Sequence, residues 1–399
     1  MLPDPMKIVL VSTDREPAPP TYGGAIGAWV FEFAKELVKR GHDVVIIGKP
    51  NDKVNYRSFG IEFIPLPSIP EFTKPINLLL RGNLSTIPNA LKLITVRELL
   101  RDVDVVQAHY FTTAVALPII CREALLVQVW HNTPKANIVN KVLAQKFDIV
   151  CGVSRLIAKE IVHRLNVDVS KIRILYDFVD TDRFKPDDKL RRTYRERLGL
   201  QSCDCVVLHV GRIIPQKGLH HLILAFWILM QKGYRHLKLM IVGPEGHFDR
   251  RESDYPMLVR EIVHKLNLEK KVVWLGNVPS EYLPGIYNAA DIVVIPTMME
   301  EGGVLFVTLE AMACGKPVIA YKSGAISEAV EHMKTGILVP KGNIKHLSEA
   351  VETLMNDRFL RLRLGKSARE VCVNKFGVES VTNVALRIYT YAQKIEEEC

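Results

Sequence analysis

Short unbroken apolar runs alternate along this chain with longer stretches in which apolar residues recur at helical spacing. Lys7-Ile8-Val9-Leu10-Val11-Ser12 is the first such run, bounded by turn-prone residues. After a loop, Ile26, Trp29, Val30, Phe33, Leu37 and Val38 mark one face of a predicted helix over 25–40, closed by Gly41. Residues 43–48 read as a second buried strand, and 103–106, 126–130 and 148–151 continue the series. Strands covered on both faces carry continuous apolar sequence, so the pattern predicts βαβ units on a parallel sheet.

The organisation then repeats. Phe184-Lys185-Pro186-Asp187-Asp188 is a polar, proline-marked break, and beyond it 205–211, 237–243, 272–276, 292–296 and 318–320 are runs of the same type. Helical spacing at 219–232, 255–266, 305–313, 326–332 and 344–355 fills the gaps. The expected fold class is α/β, with two doubly wound parallel-sheet domains facing each other across a cleft. Ligands of such sheets sit outside the carboxyl ends of the strands, where strand order reverses.

Composition adds limits. The 399 residues are 48% hydrophobic and 24% charged, an ordinary globular balance with room for two or three domains. No run approaches the ~18 apolar residues of a spanning helix. Residues 1–7 lack the basic region of a secretory signal, so a cytoplasmic location is expected. Seven scattered cysteines argue against a disulfide framework, and Cys203-x-Cys205 has no further ligands nearby in sequence, so no metal site is expected. Net charge is 53 − 44 = +9, which fits phosphates, nucleic acid or an anionic membrane face. The densest basic stretch, 189–197, is read as a solvated helix face in preference to a nucleic-acid stripe.

Three stretches carry candidate chemistry. Tyr22-Gly23-Gly24-Ala25-Ile26-Gly27 leads into the first helix, where paired glycines and free helix-start N–H groups suit an anion. A plain left-handed turn is the other reading. The spacing is not the dinucleotide fingerprint, and the second strand ends Ile47-Gly48-Lys49-Pro50 without an acid for a ribose, which disfavours an NAD-linked enzyme. Gly211-Arg212-Ile213-Ile214-Pro215-Gln216-Lys217-Gly218 sets two cations at a strand's carboxyl end, where they can converge on one diphosphate. In 296–320 a strand end, the Gly302-Gly303 loop and a helix starting near Leu305 make a second anion cradle. There Glu310 can reach ribose hydroxyls and Glu301 can hold a sugar; capping or solvating the helix is the alternative for both.

Together with Gly324-Ala325-Ile326-Ser327-Glu328 and Thr335-Gly336-Ile337-Leu338-Val339-Pro340, these stretches resemble glycosyltransferase family 4. That family contains retaining, nucleotide-sugar-dependent enzymes of the GT-B fold, two facing Rossmann-like domains. The resemblance spans nearly the whole chain and is strongest over 207–340. It implies an acceptor-binding domain over 1–173 plus 378–399 and a donor-binding domain over 174–377, the segment 381–395 crossing back to the first. It implies that Arg212 and Lys217 hold the donor diphosphate, aided by the Phe306 and Val307 amides, Gly303, and the Gly23-Gly24 loop. Glu310 would bind the ribose, Glu301 the sugar, and Gly243, Asn277 and Val278 would flank the base. His131, in Val129-Trp130-His131-Asn132-Thr133, matches the family's histidine near the donor sugar.

Two positions depart from the family pattern. The usual glutamates stand eight positions apart, whereas 310 − 301 = 9 here. The usual Asn-Gly-Val-Asp is Asp177-Phe178-Val179-Asp180. No Asp-rich motif suits a metal-bound diphosphate, so cations and helix dipoles are expected to stabilise the leaving group, with no cofactor beyond the donor. The expected function is a retaining, metal-independent glycosyltransferase (EC 2.4) acting on a sugar, lipid-linked or small-molecule acceptor. The alternative is a non-catalytic nucleotide-sugar-binding partner subunit, motivated by the displaced glutamate. Residues 73–101 interleave Lys74, Arg81, Lys92, Arg97 and Arg101 with leucines and isoleucines. They read as an acceptor-side lobe or as a surface for peripheral contact with the cytosolic membrane face.

Overall fold

The computed structural model describes residues 4–20, 24–66, 92–109, 114–245 and 254–398. They form two compact units, Met1–Phe178 with Val378–Cys399, and Val179–Gly377.

In the first unit, β1 (Lys7–Val11), β2 (Asp43–Gly48), β3 (Ile61–Pro65), β4 (Val105–Ala108), β5 (Leu125–Trp130), β6 (Ile149–Gly152) and β7 (Ile172–Ile174) form one sheet in the order β3-β2-β1-β4-β5-β6-β7. Every pairing is parallel. Ile8, Val9, Leu10 and Val11 are fully buried, as an apolar run covered on both faces requires. β1 pairs with β2 on one side and β4 on the other, so strand order reverses between β1 and β4. The helix α1 (Ala25–Lys39) packs Trp29, Val30, Phe33 and Leu37 inward at the predicted spacing. The last helix, Val378–Glu398, lies along α1, with Lys39 paired to Glu379, and sends Tyr389 into the core.

In the second unit, β8 (Cys205–Val210), β9 (Leu237–Val242), β10 (Val272–Gly276), β11 (Ile292–Ile295), β12 (Val318–Tyr321) and β13 (Gly336–Val339) run in the order β10-β9-β8-β11-β12-β13. All pairings are again parallel, and the order reverses between β8 and β11. Both units are thus Rossmann-like. The core joins Val207, Leu239, Ile241 and Val294 to Leu222 and Phe226 of the helix Leu219–Gln231.

Four expectations need correction. The boundary falls after Phe178 rather than after 173, because Ile174 closes β7 and the Phe178 ring packs on Trp29. The helix expected over 326–332 is only a short 3-10 turn, Gly324–Glu328. The Thr335 hydroxyl donates to the Ala329 carbonyl and accepts from the Glu331 N–H, which turns the chain away from a helical path. The basic stretch is the helix Asp188–Arg197, but it is not simply solvated. Arg195 is buried, and Arg191 and Arg195 both pair with Asp291, whose other contact is the Val206 N–H at the start of β8. Finally, β3, β7 and β13 were not anticipated as strands.

No helix among the described residues is long and apolar enough to cross a membrane. Residues 73–91 of the amphipathic stretch lie outside the described residues.

Candidate active site

The reversal between β8 and β11 brings two loops side by side at the carboxyl ends of the second sheet. Arg212 opens the loop after β8, and Lys217 ends its 3-10 turn Pro215–Lys217. Gly218 follows at φ +69, and a Cβ there would stand 2.0 Å from the Pro296 carbonyl oxygen just past β11. The Met298 N–H donates to the Gln216 carbonyl at 2.8 Å, which fixes the two loops to each other.

That contact sets Lys217 against Glu301. Nζ and Oε1 are 2.5 Å apart, and the two side chains are only 16% and 19% exposed. The Glu301 backbone is held by the turn after β12: its carbonyl accepts from the Ala325 N–H at 3.0 Å, and a Cβ on Gly324 would collide with it. The adjacent Glu300 has a structural role. It accepts from Lys341 and from the Gly324 N–H, which together hold its carboxyl below the usual range. Of the two neighbouring glutamates, Glu301 is therefore the one turned to Lys217, and Glu300 the one turned to Lys341.

Glu310 lies on the helix Phe306–Ala313, where the Thr308 and Leu309 N–H groups bond the Leu305 carbonyl and those of Phe306 and Val307 precede the first intrahelical bond. The buried Tyr287 hydroxyl donates to Glu310 Oε2 at 2.7 Å. Burial raises the Glu310 carboxyl, partly offset by this bond and by the charge of Arg183. Gly303 is half-buried in the loop before that helix. Gly243 follows β9 and donates its N–H to the Gly276 carbonyl at 2.8 Å, so it adjoins the turn of exposed Asn277 and half-buried Val278.

The remaining candidates belong to the first unit. Gly24 caps α1 at φ +119, and Gly23 lies outside the described residues. The start of α1 already faces an anion of the chain itself: the Gly27 N–H donates to Glu16 Oε1 at 2.8 Å. His131 follows β5 with its Nδ1 3.6 Å from Asp177 Oδ1 and its Nε2 3.0 Å from His109 Nδ1. Burial, then the charge of His131, pushes His109 well below the ordinary histidine range, while burial raises the Asp177 carboxyl.

Comparison with known proteins places this arrangement. Residues 191–371 match the family described as glycosyl transferases group 1, and residues 23–183 match glycosyltransferase family 4. The chain belongs to glycosyltransferase family 4. This glycosyltransferase is 26% identical over 398 residues to the D-inositol 3-phosphate glycosyltransferase of Corynebacterium glutamicum, covering 92% of each chain. It is 27% identical over 250 residues to an uncharacterised glycosyltransferase of Methanocaldococcus jannaschii, covering 62% of this chain and only 60% of that relative. Among solved structures, Anabaena HepE in complex with UDP superposes with a TM-score of 0.77 at 22% identity, covering 97% of this chain and 100% of that one. The shared fold is GT-B.

Sequence reasoning missed Glu16, His109, Gln107, Tyr287 and Tyr389, none of which carries a motif. It also saw no partners for Cys203. The structure gathers Cys203, Asp204 and His236 with ligand atoms within 4.8 Å, but Cys205 is not among them. Asp204 Oδ2 already accepts from the Gln201 N–H, and the cluster precedes β8, at the opposite end of the sheet from Lys217. A cavity of about 750 Å³ lined by Asp204, Lys316 and Arg361 lies at that same end, so volume alone does not mark the site.

Proposed function

We propose that this glycosyltransferase is a retaining enzyme that moves a sugar from a nucleoside-diphosphate sugar to an acceptor hydroxyl without a metal ion. The observation that carries this reading is the Lys217–Glu301 pair at the strand-order reversal of the second sheet. A cation suited to a diphosphate and a carboxylate suited to a sugar are held together where such sheets bind ligands. The UDP held by the Anabaena neighbour and the inositol phosphate in the corynebacterial relative's name support this donor and acceptor chemistry.

In the step proposed, the bond from the anomeric carbon to the nucleotide's phosphate oxygen breaks, and its electron pair leaves with the diphosphate. The acceptor oxygen bonds to that carbon on the same face and gives its proton to the departing phosphate. Arg212, Lys217 and the start of the helix Phe306–Ala313 offset the developing charge. Each charge-assisted hydrogen bond there contributes about 1.5–3 kcal/mol. Glu310 takes the ribose, Glu301 and His131 the sugar, and Gly243, Asn277 and Val278 flank the base.

A thermal-shift panel of UDP-, GDP- and ADP-sugars, with and without chelator, tests donor binding. A ligand at a hundred times its Kd stabilises the fold by about 2.7 kcal/mol. One base should shift the melt regardless of chelator, and Arg212→Ala with Lys217→Ala should abolish both shift and transfer. Unchanged turnover in that double variant would overturn the assignment. Retention is read from the anomeric configuration of the product. Donor binding with neither transfer nor slow hydrolysis would identify a binding-only partner subunit, the reading that the displaced glutamate motivates.

A further inference from the structure

His131 stands near the end of a buried chain of polar side chains that crosses the first unit. On the last helix, the Tyr389 hydroxyl donates to Gln107 Oε1 at 2.6 Å. The Gln107 amide nitrogen is 2.9 Å from His109 Nε2, and His109 Nδ1 is 3.0 Å from His131 Nε2. His131 Nδ1 then faces Asp177 Oδ1 at 3.6 Å. Tyr389 and Gln107 are fully buried, His109 is 2% exposed and the His131 side chain 7%. Trp29 walls the chain with its ring, 4.8 Å from that of His109 and 5.8 Å from that of His131.

Counting donors and acceptors fixes the protons. Burial keeps Tyr389 protonated, far above its ordinary range, and keeps His109 neutral. An amide that accepts through Oε1 presents its N–H to His109, so His109 Nε2 is bare and its single proton sits on Nδ1. That proton points at His131 Nε2, which must accept it. His131 then carries its own proton on Nδ1, aimed at Asp177. Protonating His131 fully would force His109, the Gln107 amide and the Tyr389 hydroxyl all to reverse.

We propose that Tyr389, Gln107 and His109 are positioning residues that hold His131 as its neutral Nδ1–H tautomer, with the Asp177 gap as the slack link through which Nδ1–H turns to a sugar hydroxyl. The last helix thereby sets the state of the residue placed beside the donor. The functional half of this inference rests on the reading of His131 given above; the tautomers do not.

Imidazole ¹⁵N spectra of the full chain test it, with the His109 and His131 signals assigned by their loss in His109→Gln and His131→Gln. Both rings of the wild-type protein should show the Nδ1–H pattern, which requires no variant to fold. In Gln107→Leu, His109 should shift toward Nε2–H, and kcat should fall about tenfold while donor KM stays within about twofold. Tyr389→Phe should move both readouts the same way by less. An Nε2–H signal at either ring of the wild type, or an unchanged kcat in Gln107→Leu, overturns the proposal. Full transfer by His131→Gln would remove His131 from the donor site, and the functional half with it. The wild-type spectrum still decides the tautomers, so the two failures are told apart.

Discussion

Lys217 and Glu301 neutralise each other across the point where the strand order of the second sheet reverses, with Nζ 2.5 Å from Oε1. A diphosphate that takes Lys217 must therefore compete with Glu301. Glu301→Gln removes the competitor and should tighten binding of bare UDP, GDP or ADP about threefold, while transfer falls at least about tenfold. Lys217→Ala should lose both. Calorimetric titration separates the cases, and weaker nucleotide binding in Glu301→Gln would show that the carboxylate organises the cation rather than competing for it.

The start of α1 also carries a carboxylate of the chain itself, with Glu16 accepting from the Gly27 N–H. Glu16→Gln keeps an acceptor but removes the charge that favours a helix start, a loss of about 0.3–1 kcal/mol in a urea melt. If the Gly24 end of α1 shares the donor diphosphate, the same variant should bind nucleoside diphosphates more tightly. Unchanged affinity would confine the diphosphate site to the second unit.

His209 sets an acid limit on stability. It is buried in β8, with Nδ1 facing the Val294 carbonyl, and burial lowers its pKa from 6.5 to about 4. The folded value lies below the unfolded one, so the unfolded chain binds more protons between them. Its neutral-state contribution is present above pH ~6.5 and is lost as pH falls toward ~4, up to about 3 kcal/mol at 1.36 kcal/mol per unit. His209→Asn should flatten the drop in unfolding free energy between pH 7 and pH 4.5. An undiminished slope would assign the acid sensitivity to other buried histidines such as His109.

The sheets were legible wherever both faces are covered. β1, β2, β5, β8, β9, β11 and β12 are largely apolar runs because most of their positions are buried, with exceptions such as Lys7, Asp43 and Lys238 near the strand starts. β3 was not: Ile61–Pro65 mixes buried, half-buried and exposed residues at the edge of its sheet, and β7 has only three residues. The glycine and cation motifs marked loops correctly because strand ends fix where a loop starts. What stayed hidden depends on contacts between distant positions. Nothing near Glu301 says that it meets Lys217, and Tyr389 stands 282 positions from Gln107. Nothing beside Phe178 in sequence encodes the contact of its ring with Trp29.

Among the described residues, the Glu310 carboxyl bonds one buried hydroxyl, that of Tyr287. Burial raises the Glu310 carboxyl, and the bond from Tyr287, 2.7 Å long, works against that rise. Tyr287→Phe removes the bond, so the carboxyl should rise further and spend more of its time neutral. A neutral carboxyl accepts poorly from two ribose hydroxyls. Donor KM should therefore increase more than kcat falls, and the defect should be larger at the more acidic of two assay pH values, because a raised carboxyl regains its charge as pH rises. Stability should drop by about 1–3 kcal/mol from the unsatisfied buried group. A KM defect equal at both pH values would make the role of Tyr287 steric. An unchanged KM in a variant that melts earlier would remove Glu310 from the ribose site and leave its bond to Tyr287 as a core contact.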